Sequence, residues 1–224
     1  KCICCSDYVM NATKEYFAIP QDSLTRIYNS CDFEKFRKNN KEFLAFNKNL
    51  NLGMVARLEK HKDHTTLIKA IPLILKKGIE VKLSIIGDGS QRDKLEKLSQ
   101  EIGVKNKVNF LGSRRDIPKI LSGLDIFVFS AKEDEGFGIA LAEAMVAGIP
   151  ILASNAGACI EILKNGEYGY IFEKGNSEDL ASKVLEMKND MENVKKKILK
   201  AKKYAKNSFS IKNMADSYLE CLMS

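Results

Sequence analysis

Leu52-Gly53-Met54-Val55-Ala56 is a short apolar run, and Val81-Lys82-Leu83-Ser84-Ile85-Ile86 is a second one rich in β-branched residues. Between them, residues 63–77 space their apolar side chains at the period of a helix. A strand, helix, strand order of this kind implies parallel pairing, because the helix carries the chain back to the start of the sheet. The alternation continues, with strands expected at residues 108–111, 126–130, 151–153 and 169–172 and helices at 91–102, 116–122, 139–147 and 158–163. Most of these strands are apolar throughout, as strands covered on both faces should be. The fold class is therefore α/β, a doubly wound Rossmann-like parallel sheet, which places ligands outside the carboxyl ends of its strands.

The ends behave differently. Residues 1–6 read as one buried strand, 7–16 as a helix, and 24–28 as an extended piece running into the polar stretch 29–40. That is the pattern of a preceding domain's tail followed by a linker. Residues 177–188, 191–206 and 211–222 read as helices with no strand between them.

At 224 residues and 25.1 kDa the chain holds one full domain and a remainder. Hydrophobic residues at 45% and charged residues at 29% exclude a disordered or fibrous chain. No apolar run approaches the ~20 residues needed to cross a bilayer. The sequence starts at Lys1 without an apolar signal segment, so a fragment or trimmed chain with nothing to direct secretion is expected. Lys plus Arg exceeds Asp plus Glu by 36 − 29 = 7, which favours anionic partners without choosing among nucleotides, nucleic acid and acidic lipid head groups. Cys2, Cys4, Cys5, Cys31, Cys159 and Cys221 include one tight cluster but no second at metal-ligand spacing, so cytosolic thiols are expected rather than zinc or disulfides.

Two glycine turns sit where a strand ends and a helix begins, where backbone N–H groups and the helix dipole can hold an anion. Gly87-Asp88-Gly89-Ser90-Gln91-Arg92 has two of the three fingerprint glycines and no acidic residue at the expected distance, so it reads as a tight turn rather than a nicotinamide or flavin site. The second is Glu135-Gly136-Phe137-Gly138-Ile139-Ala140-Leu141-Ala142-Glu143, whose plainer reading is a capped helix with two solvated glutamates. Arg57 follows a buried strand and Lys62 precedes a helix with Asp63 at its cap. In a doubly wound sheet these turns open on the same edge, so Arg57 and Lys62 are placed to share a pyrophosphate with the backbone of Gly136 and Gly138. The alternative is a pair of solvated surface charges. His61 and His64 flank Asp63 without further ligands, which favours an ordinary helix start over a metal site.

Taken in order, Asn29-Ser30-Cys31-Asp32, Arg57 with Lys62, Gly87-Asp88-Gly89, Phe110-Leu111-Gly112, Asp116-Ile117-Pro118, Glu135 through Glu143, and Glu161-Ile162 resemble the carboxyl-terminal half of retaining glycosyltransferases of the group 1, or GT4, family. The glutamates, 143 − 135 = 8 positions apart, resemble that family's E-x7-E signature. The resemblance implies the GT-B architecture, two facing Rossmann-like domains of which the second binds a nucleotide-activated sugar. It implies a domain tail and linker at residues 1–34, the nucleotide-sugar-binding domain at 35–207 and a crossover helix at 208–224. It assigns Arg57 and Lys62 to the donor diphosphate, Glu135 to the sugar and Glu143 to the ribose hydroxyls. Backbone groups of Gly136, Phe137, Gly138 and Ile139 would hold sugar and phosphate oxygens, and the base would rest near residues 113–117, including Arg115 and Ile117. Asn29-Ser30 departs from the family's Asn-Gly, and Gly157-Ala158 stands where a glycine pair is usual.

With two cations on the leaving diphosphate and no Asp-x-Asp motif, no metal cofactor is expected. The implied donor is a nucleotide-sugar, UDP-linked by preference, and the acceptor a glycan or lipid-linked glycan in surface polysaccharide biosynthesis. The implied location is the cytoplasm or the cytoplasmic face of the membrane. The amino-terminal domain, which carries most acceptor contacts in this family, is the missing partner. The isolated chain is therefore expected to bind donor without transferring sugar, and to expose an apolar patch along residues 211–222 and the Cys2 to Cys5 strand. Three other readings compete. Glu135 and Glu143 as the acid and nucleophile of a glycoside hydrolase fit poorly, because eight helical residues would separate them by ~12 Å along one axis. A nucleotide-sugar-binding module without turnover remains open. Lys195, Lys196, Lys197, Lys200, Lys202, Lys203 and Lys206, interleaved with Ile198, Leu199, Ala201 and Ala205, read as the solvated face of an amphipathic helix. They come without an aromatic platform for nucleic acid, and peripheral contact with an anionic membrane is a milder alternative.

Overall fold

The computed structural model describes residues 1–37, 45–132 and 135–223. A small two-stranded parallel sheet comes first, β1 (Cys2–Cys4) beside β2 (Leu24–Arg26), joined by helix α1 (Asp7–Phe17). The main sheet has six parallel strands: β3 (Leu50–Val55), β4 (Val81–Ile86), β5 (Val108–Phe110), β6 (Ile126–Phe129), β7 (Ile151–Ser154) and β8 (Tyr170–Phe172). Their order is β5-β4-β3-β6-β7-β8. The chain winds outward from β3 to β5, returns to pair β6 with β3, and winds outward the other way. The crevice of a doubly wound sheet falls at that reversal.

Alternate strand residues feed two separate cores. Leu52, Met54, Ile126, Val128 and Leu152 face one, covered by α3 (His64–Lys76), α4 (Arg92–Glu101) and α8 (Ser177–Asn189). Phe127, Phe129, Ile151 and Ala153 face the other, covered by α5 (Ile117–Leu121), α6 (Ile139–Ala147), α7 (Cys159–Ile162) and α9 (Met191–Ser208). Helix α6 is apolar nearly all round because it is buried between sheet and α9, with Leu141, Ala142, Ala144 and Met145 inaccessible.

Several expectations need correction. The strand read at residues 1–6 has three residues, of which only Cys4 is fully buried. The polar stretch 29–40 is not simply a linker: it contains α2 (Glu34–Arg37), whose Phe36 is buried, while residues 38–40 lie outside the described residues. On α9, Leu199 is 70% exposed, so Val194, Ile198, Ala201 and Ala205 form the buried stripe. Not all of its lysines are free in solvent, since Lys200 pairs with Glu167 at 2.9 Å and Lys197 lies over the Tyr170 ring. The terminal helix α10 (Ile211–Met223) buries none of its residues and exposes Tyr218, Leu219 and Leu222 as expected. The companion apolar exposure falls on Tyr16 and Phe17 of α1 rather than on the cysteine strand.

The turn after β4 shows why glycine is required there. Gly87 has a φ of 137°, and a Cβ at this position would lie 2.0 Å from the Ala56 carbonyl oxygen. That close approach lets Leu58 N–H reach Asp88 O and Gln91 N–H reach Leu58 O, so the turn braces the loop that carries Arg57. Replacing Gly87 with Ala is expected to cost more than about 1 kcal/mol of stability, read as a lower urea midpoint. Unchanged stability would show that the two loops do not depend on this contact.

Candidate functional site

Strands β3 and β6 are neighbours at the reversal of the sheet, and their following loops meet. The loop after β3 runs through Arg57 into a 3-10 turn at Lys60–Lys62, and the loop after β6 leads to Glu135. The Lys62 ammonium is bound directly to Glu135 Oε2, with the two side chains 15% and 8% exposed. Lys62 also lies 5.3 Å from the centre of the Phe129 ring. Arg57 is exposed on the same loop and takes no salt bridge among the described residues. The cation and carboxylate that the resemblance assigns to diphosphate and sugar are thus in contact with each other.

Gly138 turns the chain into α6 with a φ of 79°, and its missing side chain leaves the first turn of that helix without a side-chain cap. A Cβ there would press on the Phe129 ring at 3.3 Å. Ile139, the first residue of the helix, is 48% exposed beside it. Phe137 faces inward, into an aromatic cluster with Tyr28 at 5.8 Å and Phe209 at 5.3 Å between ring centres. The loop is therefore anchored by a side chain while its backbone stays at the sheet edge. Ser154 at the end of β7 donates to Ala131 O at 2.8 Å and accepts from Ala131 N at 2.9 Å, fixing the exit from β6.

Glu143 is half-buried in the second turn of α6, and burial raises its pKa, with the Lys35 charge opposing the rise. The ~12 Å separation expected for the two glutamates assumed helix between them; α6 begins only at Ile139, and Glu135 lies in the loop before it. Arg115 is exposed, and Ile117 opens α5 and packs against the second core. Their loop is pinned by a two-pronged contact that the sequence did not reveal, Arg114 on Asp116 at 2.8 Å through each oxygen, which holds the Asp116 carboxyl down to about 2. These loops line the carboxyl edge, and among the described residues Lys62 and Glu135 are the assigned side chains joined by an ion pair.

Two residues near the edge behave unlike their expectation. Asp63 occupies the cap position of α3, but its carboxylate accepts from the Thr66 hydroxyl at 2.7 Å and from no backbone N–H of the helix. His64 is not an ordinary surface histidine: it is 2% exposed and neither ring nitrogen has a partner among the described residues. Among those residues no group of three or more His, Cys, Asp or Glu could hold a metal, and no helix is long and apolar enough to cross a membrane.

The doubly wound parallel sheet flanked by helices, with a helix at its end, is of the Rossmann-like class found in the carboxyl-terminal domain of GT-B glycosyltransferases. The sequence pattern of the glycosyl transferases group 1 family matches residues 35–208, and the chain belongs to that family. It is 30% identical over 168 residues to the capsular polysaccharide biosynthesis glycosyltransferase CapM of Staphylococcus aureus, covering 72% of this chain and 44% of that protein. It is 33% identical over 176 residues to an uncharacterized glycosyltransferase of Methanocaldococcus jannaschii, covering 74% and 45%. The chain thus spans about half the length of the curated relatives it matches. In structure it is similar to Anabaena Alr3699/HepE in complex with UDP and glucose, with a TM-score of 0.87 at 24% identity over 99% of this chain and 62% of that one.

Burial, and then the nearby Lys62 and His61 charges, lower the His64 pKa from 6.5 to about 4. Between those values the unfolded chain binds the proton and the folded one does not. The His64 contribution is therefore complete above pH 6.5 and is lost as the pH falls toward 4, on the order of 3 kcal/mol in all. Urea unfolding at a series of pH values should show that loss, and a His64→Leu variant should flatten it. The same pH slope in both proteins would place the titration elsewhere.

Proposed function

We propose that the chain is the donor-binding half of a retaining glycosyltransferase that takes a UDP-sugar and passes the sugar to a glycan or lipid-linked acceptor, without a metal ion. The observation that carries the reading is the Lys62–Glu135 contact across the β3/β6 crevice, beside the uncapped start of α6. In the reaction, the bond between the anomeric carbon and the β-phosphate oxygen breaks and its electron pair stays on the phosphate. Arg57 and Lys62 supply fixed positive charge where that anion grows, a contribution whose loss typically lowers rate ~10²- to 10³-fold. Donor entry exchanges part of the Lys62–Glu135 contact for contacts of Lys62 to phosphate and of Glu135 to sugar. The backbone of Gly136, Phe137, Gly138 and Ile139 lies along the sugar and phosphates, Glu143 accepts from the ribose hydroxyls, and the base rests by Arg115 and Ile117. The acceptor oxygen bonds the anomeric carbon on the face the diphosphate leaves, and its proton passes to the departing β-phosphate oxygen, which kept the electron pair of the broken bond.

Similarity to the capsular enzyme supports surface polysaccharide synthesis as the setting, and the location proposed with it is the cytoplasm or the cytoplasmic face of the membrane. The chain's span of about half its relatives favours a second reading, in which these residues alone bind the donor without turnover. Transfer would then need a facing acceptor domain to hold both substrates, where effective concentrations can reach ~10⁵ M. Sugar transfer by this chain with and without that domain separates the two.

Calorimetry with UDP in the absence of divalent cations tests the donor assignment. Arg57→Ala and Lys62→Ala should each weaken binding by ~1.5 to 3 kcal/mol. Glu143→Gln should weaken UDP and UDP-glucose alike, because one carboxylate reads two vicinal hydroxyls, whereas Glu135→Gln should spare UDP and reduce only the affinity added by the sugar. Wild-type affinity in both cation variants, or an absolute requirement for Mg²⁺, would sink the reading. The reverse pattern in the two glutamate variants would exchange their roles.

A further inference from the structure

The loop that carries Glu135 is gripped from outside its own domain. Ser6, wholly buried at the N-cap of α1, donates from Oγ to Gly136 O at 2.6 Å and accepts from Val9 N at 3.1 Å. The carbonyl one residue earlier, Glu135 O, accepts from Ala158 N at 2.9 Å, just before α7. Three residues on, Glu161 of α7 accepts from Asp7 N on one carboxylate oxygen and from Tyr8 N on the other, both at 3.0 Å. These contacts close a ring: α1 to the Gly136 carbonyl, the Glu135 carbonyl to α7, and α7 back to α1.

The chemistry of each link favours the closed ring. The Glu161 carboxylate meets two backbone N–H groups at the positive end of an eleven-residue helix, a charge-assisted and dipole-aligned contact. Asp7 is meanwhile drawn toward Arg26 at 2.9 Å, and Arg26 stacks over Tyr28 at 4.0 Å, so the small sheet moves with α1. Burial and then the Glu161 carboxylate push the Tyr28 phenol far above its usual range, keeping it a neutral partner. Gly136 leaves room for the approach, since a Cβ there would meet Val9 Cγ2 at 3.3 Å. Two successive carbonyls of the Glu135–Gly136 pair are thereby fixed by different elements, which holds the backbone from which the Glu135 side chain reaches Lys62.

We propose that Ser6 and Glu161 are positioning residues, which clamp α1 onto the Glu135 loop and hold it in the geometry the donor sugar meets. The proposal rests on the donor-site reading above for its consequence, and on the ring of contacts alone for its structure. It makes the loop's order depend on the docking of the small β1–α1–β2 unit, so that a displacement of that unit releases the sugar end of the site while leaving the diphosphate cations in place.

Hydrogen exchange of the 224-residue chain tests the clamp without any ligand, read over residues 135–141 and, as a control, over 81–86. Ser6→Ala and Glu161→Gln should each speed exchange at 135–141 about tenfold and leave 81–86 unchanged. The double variant should exchange no faster than either single one, because one broken link already opens the ring. Ser6→Thr, which keeps the hydroxyl, should restore wild-type protection. In calorimetry the variants should bind UDP as the wild type does and lose about tenfold of the extra affinity that UDP-glucose shows over UDP. Unchanged exchange at 135–141, or additive effects in the double variant, would overturn the proposal. The expected exchange pattern in a chain that binds neither nucleotide would uphold the clamp and remove the donor assignment instead.

Discussion

The ion pair of Lys62 and Glu135 spans the point where the sheet reverses its winding. Loops after β3 and β6 leave adjacent strands toward helices on opposite faces, so a crevice opens between them by topology alone. Two charges held there at low exposure have given up much of their hydration, and each compensates the other. Removing one partner from such a pair typically costs about 3 to 5 kcal/mol, because the remaining charge is stranded. The contact therefore ties the β3 loop to the β6 loop at the reversal of the sheet.

The surrounding structure acts to keep that crevice in shape. On the β3 side, Gly87 brings the β4 turn against Ala56 O, and three loop residues share hydrogen bonds across the join. On the β6 side, Phe137 is wedged among Tyr28 and Phe209, and Ser154 holds both backbone groups of Ala131. The β3 loop is thus held by backbone hydrogen bonds to the β4 turn, and the β6 loop by inward side chains together with the contacts to its Glu135 and Gly136 carbonyls. His64, buried without a hydrogen-bond partner among the described residues, is a polar group the packing tolerates at a pH-dependent cost to stability.

The same residues explain how much could be read in advance. Strand β4 and helix α6 have the bounds read from the sequence, because one is a short apolar run with β-branched residues at both ends and the other lies between two glycines. Helix α2 escaped notice because four residues in a polar stretch carry no periodic signal, although Phe36 is buried. Asp63 has the residue type and position of a cap, yet its backbone is left-handed and its carboxylate turns to Thr66. Exposure of Leu199 in place of Val194 reflects where the neighbouring helix and sheet happen to lie, which one helix's pattern cannot specify.

For the site, residue type and order along the chain single out Arg57, Lys62 and Glu135 at strand-to-helix turns and Glu143 within α6, and the resemblance to the family proposes their roles. Their partners were not legible. Lys62 and Glu135 are 73 residues apart, and Ser6 reaches Gly136 across 130. Contacts at such separations depend on strand order and on which face each helix covers, quantities fixed by burying two apolar cores at once. The sequence by itself determined the alternation of strands and helices and the chemistry available at the carboxyl edge, since both follow from local periodicity and residue type. Only the tertiary structure decided which charges meet and that α1 closes on the Glu135 loop, because those contacts exist only once the sheet has reversed and brought distant turns together.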